Sequence, residues 1–159
     1  MVTAFSRPAF QLAAALVKDR AVAEEIVQEA FVRAMSNART PRELPQFRRW
    51  FYRIVVNLTR EHHRRGARSR RLAVVPQPVP DPQEEAERRM GDLQMAAALV
   101  VLSEREREAV YLRFFQDLAF DDVAGAMGIN ESTARVLVHR GLERLRDRLN
   151  PTTQKRETS

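Results

Sequence analysis

A chain of 159 residues can hold one ordinary hydrophobic core or two small ones, and length does not choose between them. Its 27 Lys and Arg against 21 Asp and Glu leave a net charge of +6, which points to a polyanionic partner, nucleic acid before a membrane surface. The absence of cysteine excludes disulfides and thiolate metal sites.

Nothing in the pattern supports chemistry. His62 and His63 are adjacent and so diverge on a helix, and with His139 they are expected on solvated or DNA-facing surface rather than on a metal. None of the five glycines stands in a phosphate-cradling loop, so no cofactor and no enzymatic activity are expected. The opening "MVTAFSRPAF" lacks the features of a signal peptide, and no apolar run is long enough to span a bilayer. A cytoplasmic protein without membrane insertion is therefore expected.

In chain order, the first patterned segment is "DRAVAEEIVQEAFVRAMSNA". Val22, Ile26, Ala30, Phe31 and Ala34 form an apolar stripe with Asp19 placed to cap the helix, while Glu24, Glu25, Gln28, Glu29 and Arg33 lie opposite. Without further context that polar face reads as solvated surface. A proline-broken connector, "NARTPRELPQ", leads to "FRRWFYRIVVNLTREHHRRGARSRR". Phe47, Trp50, Phe51, Ile54, Val55 and Leu58 fall on the core side by periodicity. Arg48, Arg49, Tyr52, Arg53, Val56, Asn57, Arg60 and Arg64 are expected to face outward. Nine arginines and one acid lie between Arg48 and Arg71. Mixed with an aromatic and an amide, that charge suits the backbone and bases of a single strand.

"AVVPQPVPDPQ", residues 73–83, holds four prolines at near-alternate positions and reads as an extended linker. A helical pattern resumes at "EEAERRMGDLQMAAALVVL". Ser103 and Glu106 predict a capping box, followed by a helix with Val110, Leu112, Phe114 and Phe115 mostly inward and a stop at Asp117. Val123, Ala124, Met127, Gly128 and Ile129 then match a helix-turn-helix, with glycine at the left-handed turn. In its second helix Ala134, Leu137, Val138, Gly141, Leu142, Leu145 and Leu149 mark the buried stripe. Glu131, Ser132, Arg135, Val136, His139 and Arg140 stay exposed, those near the N-terminus suited to a major groove. Arg135 could fork onto guanine, Glu131 could accept from a cytosine amino group, and Ser132 could meet base or phosphate. No strand-period alternation competes, so the expected fold is all-α. It comprises a first domain over 1–72, the linker 73–83, a helix-turn-helix domain over 84–150 and a disordered tail over 151–159.

Taken together, "AEEIVQEAFVRA", "FRRWFYRIVVNLTREHHRR", "LSEREREAVYLRFFQDLAFDDVAGAMGI" and "STARVLVHRGLERLRDRL" resemble the extracytoplasmic-function group of bacterial sigma factors, in order and over nearly the whole chain. The resemblance implies a protein that binds core RNA polymerase and directs promoter-specific initiation, is monomeric when free, and is controlled by an anti-sigma factor. It assigns core-polymerase binding to Glu25, Gln28, Glu29 and Arg33. Arg49, Tyr52, Arg53, Asn57, Arg60 and Arg64 fall to the melted minus-ten element, and residues 37–46 to the loop receiving a flipped base. The minus-thirty-five element falls to Glu131, Ser132, Thr133, Arg135, His139 and Arg140.

The chain departs from the family pattern in places. Ala119 stands where a Ser or Thr cap is usual, Leu137 where a basic residue is common, Val136 where a small polar one is, and His63 where an apolar residue is frequent. The competing readings are a LuxR-type response-regulator transcription factor, which the second half also resembles, and a helical RNA-binding adaptor. The first lacks a receiver domain here, and the second leaves the glycine-turned helix pair unexplained.

Overall fold

The computed structural model describes residues 2–69 and 99–149; the linker 73–83, most of the helical pattern that follows it, and the tail 151–159 lie outside them. Among the described residues there is no strand. The elements are α1 (Val2–Val17), α2 (Arg20–Ser36), α3 (Leu44–Ser69), α4 (Glu104–Val110), a π turn over Tyr111–Phe115, α5 (Phe120–Met127) and α6 (Glu131–Leu149).

Helices α1 to α3 pack around an aromatic cluster. Phe5 meets Phe47 edge-on at 5.2 Å, Phe47 stacks on Phe51 at 5.6 Å, and Phe31 closes on Phe51 at 4.8 Å between ring centroids. Asp19 caps α2 as expected, its carboxylate accepting from the Val22 amide at 3.3 Å. Ile26, Ala30 and Ala34 are buried, and so are Ala23 and Val27, which the predicted stripe left out. The connector is shorter than the sequence implied. Helix α3 already begins at Leu44, with Pro45 in the first turn, where a missing N–H removes no intrahelical bond. Thr40 Oγ1 donates to the Ala34 carbonyl, and Asn37 Oδ1 accepts from the Arg39 amide, so the loop is tied to the end of α2.

In the second half the capping box is present. The Glu106 amide donates to Ser103 Oγ at 3.2 Å, and the Ser103 amide donates to Glu106 Oε2 at 3.3 Å. Buried Arg107 donates to the carbonyls of Leu99 and Leu102, which satisfies the chain entering α4. The expectation that Phe114 and Phe115 turn inward is wrong: they are 52% and 44% exposed, while Val110, Tyr111 and Leu112 are buried. The cause is the π turn. Its wider ring, closed by the Gln116 amide on the Tyr111 carbonyl, inserts a residue into the helical period and rotates the following side chains out of register.

Gly128 ends α5 with φ of 69°, the left-handed turn that the helix-turn-helix pattern requires. Ala119 precedes α5 with no side-chain cap, and Asp121 and Asp122 in the first turn face the positive end of the helix dipole. Helix α6 buries Ala134, Val138 and Gly141; Leu137, Leu142 and Leu145 are half-buried against the core.

Two domains on an extended linker were expected, whereas the two halves pack directly against each other. One cluster of buried apolar residues runs through both, and α5 lies along α3. Consequently Tyr52 and Val56, expected to face outward, are 1% and 0% exposed. Around this apolar seam the contact carries several polar pairs. Tyr52 OH donates to Gln116 Oε1 at 2.6 Å, Gln116 Nε2 donates to the Pro8 carbonyl at 3.0 Å, and Arg48 donates to the Gln116 carbonyl. Arg60 forks onto buried Glu108 at 3.1 and 2.7 Å, and its third nitrogen reaches the Met127 carbonyl at 3.2 Å. The hydrogen bonds to Glu108 push Arg60's pKa up, so its charge is fixed.

Two glycines give a test of packing. A Cβ on Gly141 would fall 2.6 Å from Val110 Cγ2, a stiff β-branched side chain 2% exposed, whereas nothing lies within 4 Å of a Cβ on Gly66. Gly66→Ala is expected to raise stability by about 0.5–1 kcal/mol through helix propensity, and Gly141→Ala to lower it by about 1–3 kcal/mol through overpacking, both read by urea denaturation.

Burial pushes the Tyr52 phenol above the ordinary tyrosine pKa of about 10, only partly opposed by Arg48. The neutral phenol is the favoured folded form, so its contribution is complete below pH 10 and is lost as pH rises through the raised value. Tyr52→Phe strips Gln116 Oε1 of this donor and is expected to cost about 1–3 kcal/mol at neutral pH. The variant should also lose part of the alkaline fall in stability, measured by thermal unfolding from pH 8 to 11.

Candidate nucleic-acid interface

The second helix of the helix-turn-helix begins at an asparagine that the sequence reading passed over. Asn130 Oδ1 accepts from the Thr133 amide at 2.8 Å and from Ser132 Oγ at 2.9 Å, which fixes the first turn of α6. Glu131, Ser132, Thr133, Arg135, Val136, His139 and Arg140 are all exposed, as expected, on the side away from the buried stripe.

Within that surface Arg135 is already oriented. It donates to Glu131 Oε1 at 2.7 Å, and its guanidinium lies 4.4 Å from the centroid of the Phe120 ring. Arg113 also lies against Phe120, at 5.0 Å. A planar fork held by an aromatic face loses less freedom on meeting a base edge than a free arginine would. Phe120 is thus a second residue missed from sequence; its aromatic ring in an otherwise small and acidic first turn was the available signal. His139 is not isolated, since Nε2 stands 3.1 Å from Glu143 one turn on. Arg144 reaches back to buried Glu106 at 3.4 Å, a link between α6 and α4.

On the first half, Glu25, Gln28, Glu29 and Arg33 share the exposed face of α2, with Arg33 Nε on Glu29 Oε1 at 2.8 Å. The i, i+4 spacing that brings these two together also leaves Glu25 and Gln28 free of the core. Around the corner, Arg33, Ser36, Asn37, Ala38, Trp50 and Ile54 line a cleft of about 430 Å³. It joins the end of α2, the loop tied by Thr40 and the aromatic side of α3. Trp50 and Ile54 were assigned wholly to the core; both are only partly buried because they form this wall.

The candidates on α3 divide into two groups. Arg53, Asn57 and Arg64 are exposed, and so is Arg49. Arg49, Tyr52 and Arg60 are engaged by the second half: Arg49 with Asp122 at 3.8 Å and packed over Gly125, Tyr52 with Gln116, and Arg60 with Glu108. His63 crosses as well, its Nε2 donating to the Leu16 carbonyl at 2.9 Å with Glu104 at 3.4 Å. That contact accounts for a polar ring at a site where apolar packing was expected. Among the described residues no group of His, Asp and Glu is arranged to hold a metal ion, and no helix is long and apolar enough to cross a membrane.

Comparison with known proteins covers both halves. The model of sigma-70 region 2 matches residues 1–69, and that of sigma-70 region 4 matches residues 98–147. Similar proteins include the RNA polymerase sigma factor SigV of Bacillus subtilis, 28% identical over 93% of this chain and 88% of that protein. The ECF RNA polymerase sigma factor SigE of Mycolicibacterium smegmatis is 32% identical over 88% of this chain, which spans 56% of that longer relative. Among solved structures, the sigma factor RpoE in its complex with the anti-sigma factor NepR from Bartonella quintana has the same fold. Its TM-score is 0.71, with 92% of each chain covered and 21% identity. A receiver-linked regulator or an RNA adaptor would leave the region 2 match without cause. With both regions present in order on one short chain, the protein belongs to the sigma-70 family as a sigma factor of the extracytoplasmic-function group, serving promoter-specific transcription initiation.

Proposed function

We propose that the work of initiation is divided between the two halves residue by residue. The face of α2 bearing Glu25, Gln28, Glu29 and Arg33 docks on core RNA polymerase. The basic side of α3, with Arg49, Tyr52, Arg53, Asn57, Arg60 and Arg64, holds the melted minus-ten strand. Helix α6 enters the major groove of the minus-thirty-five element through Glu131, Ser132, Thr133, Arg135, His139 and Arg140. What supports this most is α6: its reader residues are all exposed, and Arg135 is braced by Glu131 and Phe120 for bidentate contact with a base pair.

The cleft between α2 and α3 has the size and lining for one extruded base, with the Trp50 ring as a stacking surface and Asn37 as a polar edge. An eleven-residue linker has a maximum reach of roughly 35–40 Å, and each domain adds a radius of about 12 Å. A single copy therefore reaches promoter elements more than one DNA turn, about 34 Å, apart. The protein carries no reaction of its own and acts in the cytoplasm, as the specificity subunit of a polymerase that does the chemistry. Control falls to an anti-sigma factor, the kind of partner that NepR is to RpoE in the Bartonella quintana complex.

The decisive test is transcription in vitro with sigma-free core polymerase on genomic DNA, read as a start-site map. Discrete starts dependent on this protein are expected; none, with both components folded and active, would remove the function. In the same assay Gln28→Ala with Glu29→Ala should weaken core binding at least tenfold without lowering helicity. An unchanged core-binding curve would return that face to solvated surface.

Arg135→Ala should weaken binding to a minus-thirty-five duplex by about 1–3 kcal/mol and leave core affinity within twofold. Gel shift and core-binding titration separate the two effects. Collapse of holoenzyme assembly would show that α6 has been assigned to the wrong partner.

A further inference from the structure

Resting on the reading of α6 as the minus-thirty-five helix, we propose that Val136 is a specificity-determining residue of that helix, its γ-methyls meeting the 5-methyl group of a thymine on the major-groove floor. The six polar candidates around it suit hydrogen-bonding edges and phosphates. Val136 reads an apolar group that none of them can.

Successive residues of an α-helix turn by about 100°, so the buried line of Ala134, Val138 and Gly141 fixes an outward line through Ser132, Val136, His139 and Glu143. Val136 is 46% exposed on that line, one turn after Ser132 and one turn before Arg140. Among the described residues of α6 it is the one large apolar side chain left exposed, since Leu137, Leu142 and Leu145 lie half-buried against the core. A lone exposed apolar residue is ordinary on a protein surface, and what sets Val136 apart is its neighbours. Arg135 donates to Glu131 Oε1 at 2.7 Å, His139 Nε2 stands 3.1 Å from Glu143 Oε1, and the Ser132 hydroxyl donates to Asn130 Oδ1 at 2.9 Å. Each of these polar side chains is held by a partner on α6 or at its start, which leaves the valine methyls as the forward surface between them.

Valine is also stiff. Its branched Cβ leaves one dominant rotamer in a helix, so the methyls are presented at fixed positions with little freedom to lose on contact. The same branching makes valine a weaker helix former than alanine, so on this exposed face it brings α6 no stability that alanine would lack.

The floor of the major groove offers one apolar group. Guanine shows N7 and O6, adenine N7 and an amino group, cytosine an amino group, and thymine O4 beside the 5-methyl. A valine laid on a polar edge takes water from it and returns no hydrogen bond, which disfavours those bases. Laid on thymine, it removes two apolar surfaces from water together. With Arg135 able to fork onto guanine one residue earlier, α6 reads a guanine and a nearby thymine through chemically opposite contacts.

The test uses the full chain and the minus-thirty-five duplex from the start-site map, with each thymine of either strand replaced in turn by deoxyuridine at one fixed salt concentration. That exchange deletes a single methyl and keeps the pairing edge. At the position facing Val136 it is expected to weaken binding roughly fourfold, the worth of one buried methyl. Val136→Ala should bind the unmodified duplex more weakly by at least the same factor, and should bind the thymine and deoxyuridine duplexes alike at that position. Alanine favours the helix, so the variant should keep its helicity by circular dichroism.

A flat deoxyuridine series, an upstream element without thymine, or a methyl effect of equal size in Val136→Ala overturns the proposal; the last would place the effect in the DNA itself. Arg135→Ala titrated alongside separates two failures. If it weakens duplex binding while the deoxyuridine series is flat, α6 stays the upstream reader and only the role of Val136 falls. If it too changes nothing, the placing of α6 in the groove falls with it.

Discussion

The structure depends on helix α3 being buried from two directions. One side packs into the aromatic cluster with α1 and α2, and the other lies under α5, with the fork from Arg60 to Glu108 as its most buried charged contact. Removing charge from water is costly, and here the cost is offset because each carboxylate oxygen receives its own N–H and the third nitrogen caps the C-terminal carbonyl of α5. The same fork therefore positions the helix-turn-helix against the first half. A polar contact of this kind adds less stability than an apolar one of equal size, but it tolerates few alternative registers.

Much of the architecture was legible in the chain. The apolar periods of α2, α3 and α6, the Asp19 cap, the Ser103 and Glu106 box and the Gly128 turn each follow from local rules that tertiary packing did not overrule. Tyr52 and Val56 were misplaced because a helical wheel distinguishes one buried side, and a second apolar strip bordered by arginines looks like surface. The hydrogen-bond partner of Tyr52, Gln116, lies 64 residues away in sequence, beyond the reach of periodicity. Phe114 and Phe115 failed for a different reason: a single added residue in the π turn shifts the phase of everything after it, and no propensity marks where that occurs.

The reader helix was easier to place than the minus-ten face. Exposure on α6 follows from one buried stripe, so Glu131, Ser132, Arg135, His139 and Arg140 fall outside by exclusion. What the wheel could not give was orientation. The stack of Arg113, Phe120 and Arg135 depends on a loop bringing the start of α5 beside α6, and Asn130 became a cap only because the glycine turn delivers it to the helix start. Ala119, in turn, leaves α5 without a side-chain cap, so Asp122 serves two ends at once: it faces the helix dipole and holds Arg49.

The spacing of the joining bonds carries a consequence for biosynthesis. Gln116 ties together residues 108 and 64 positions earlier, and Glu108 reaches back 48, so none of these links can form while the second half is still inside the ribosome. The emerging first half must mature with the Val56 side of α3 bare, and chaperone capture or premature association with nucleic acid would act in that interval. Docking of the late-made half then ends the interval, converting a sticky nascent segment into a protected one.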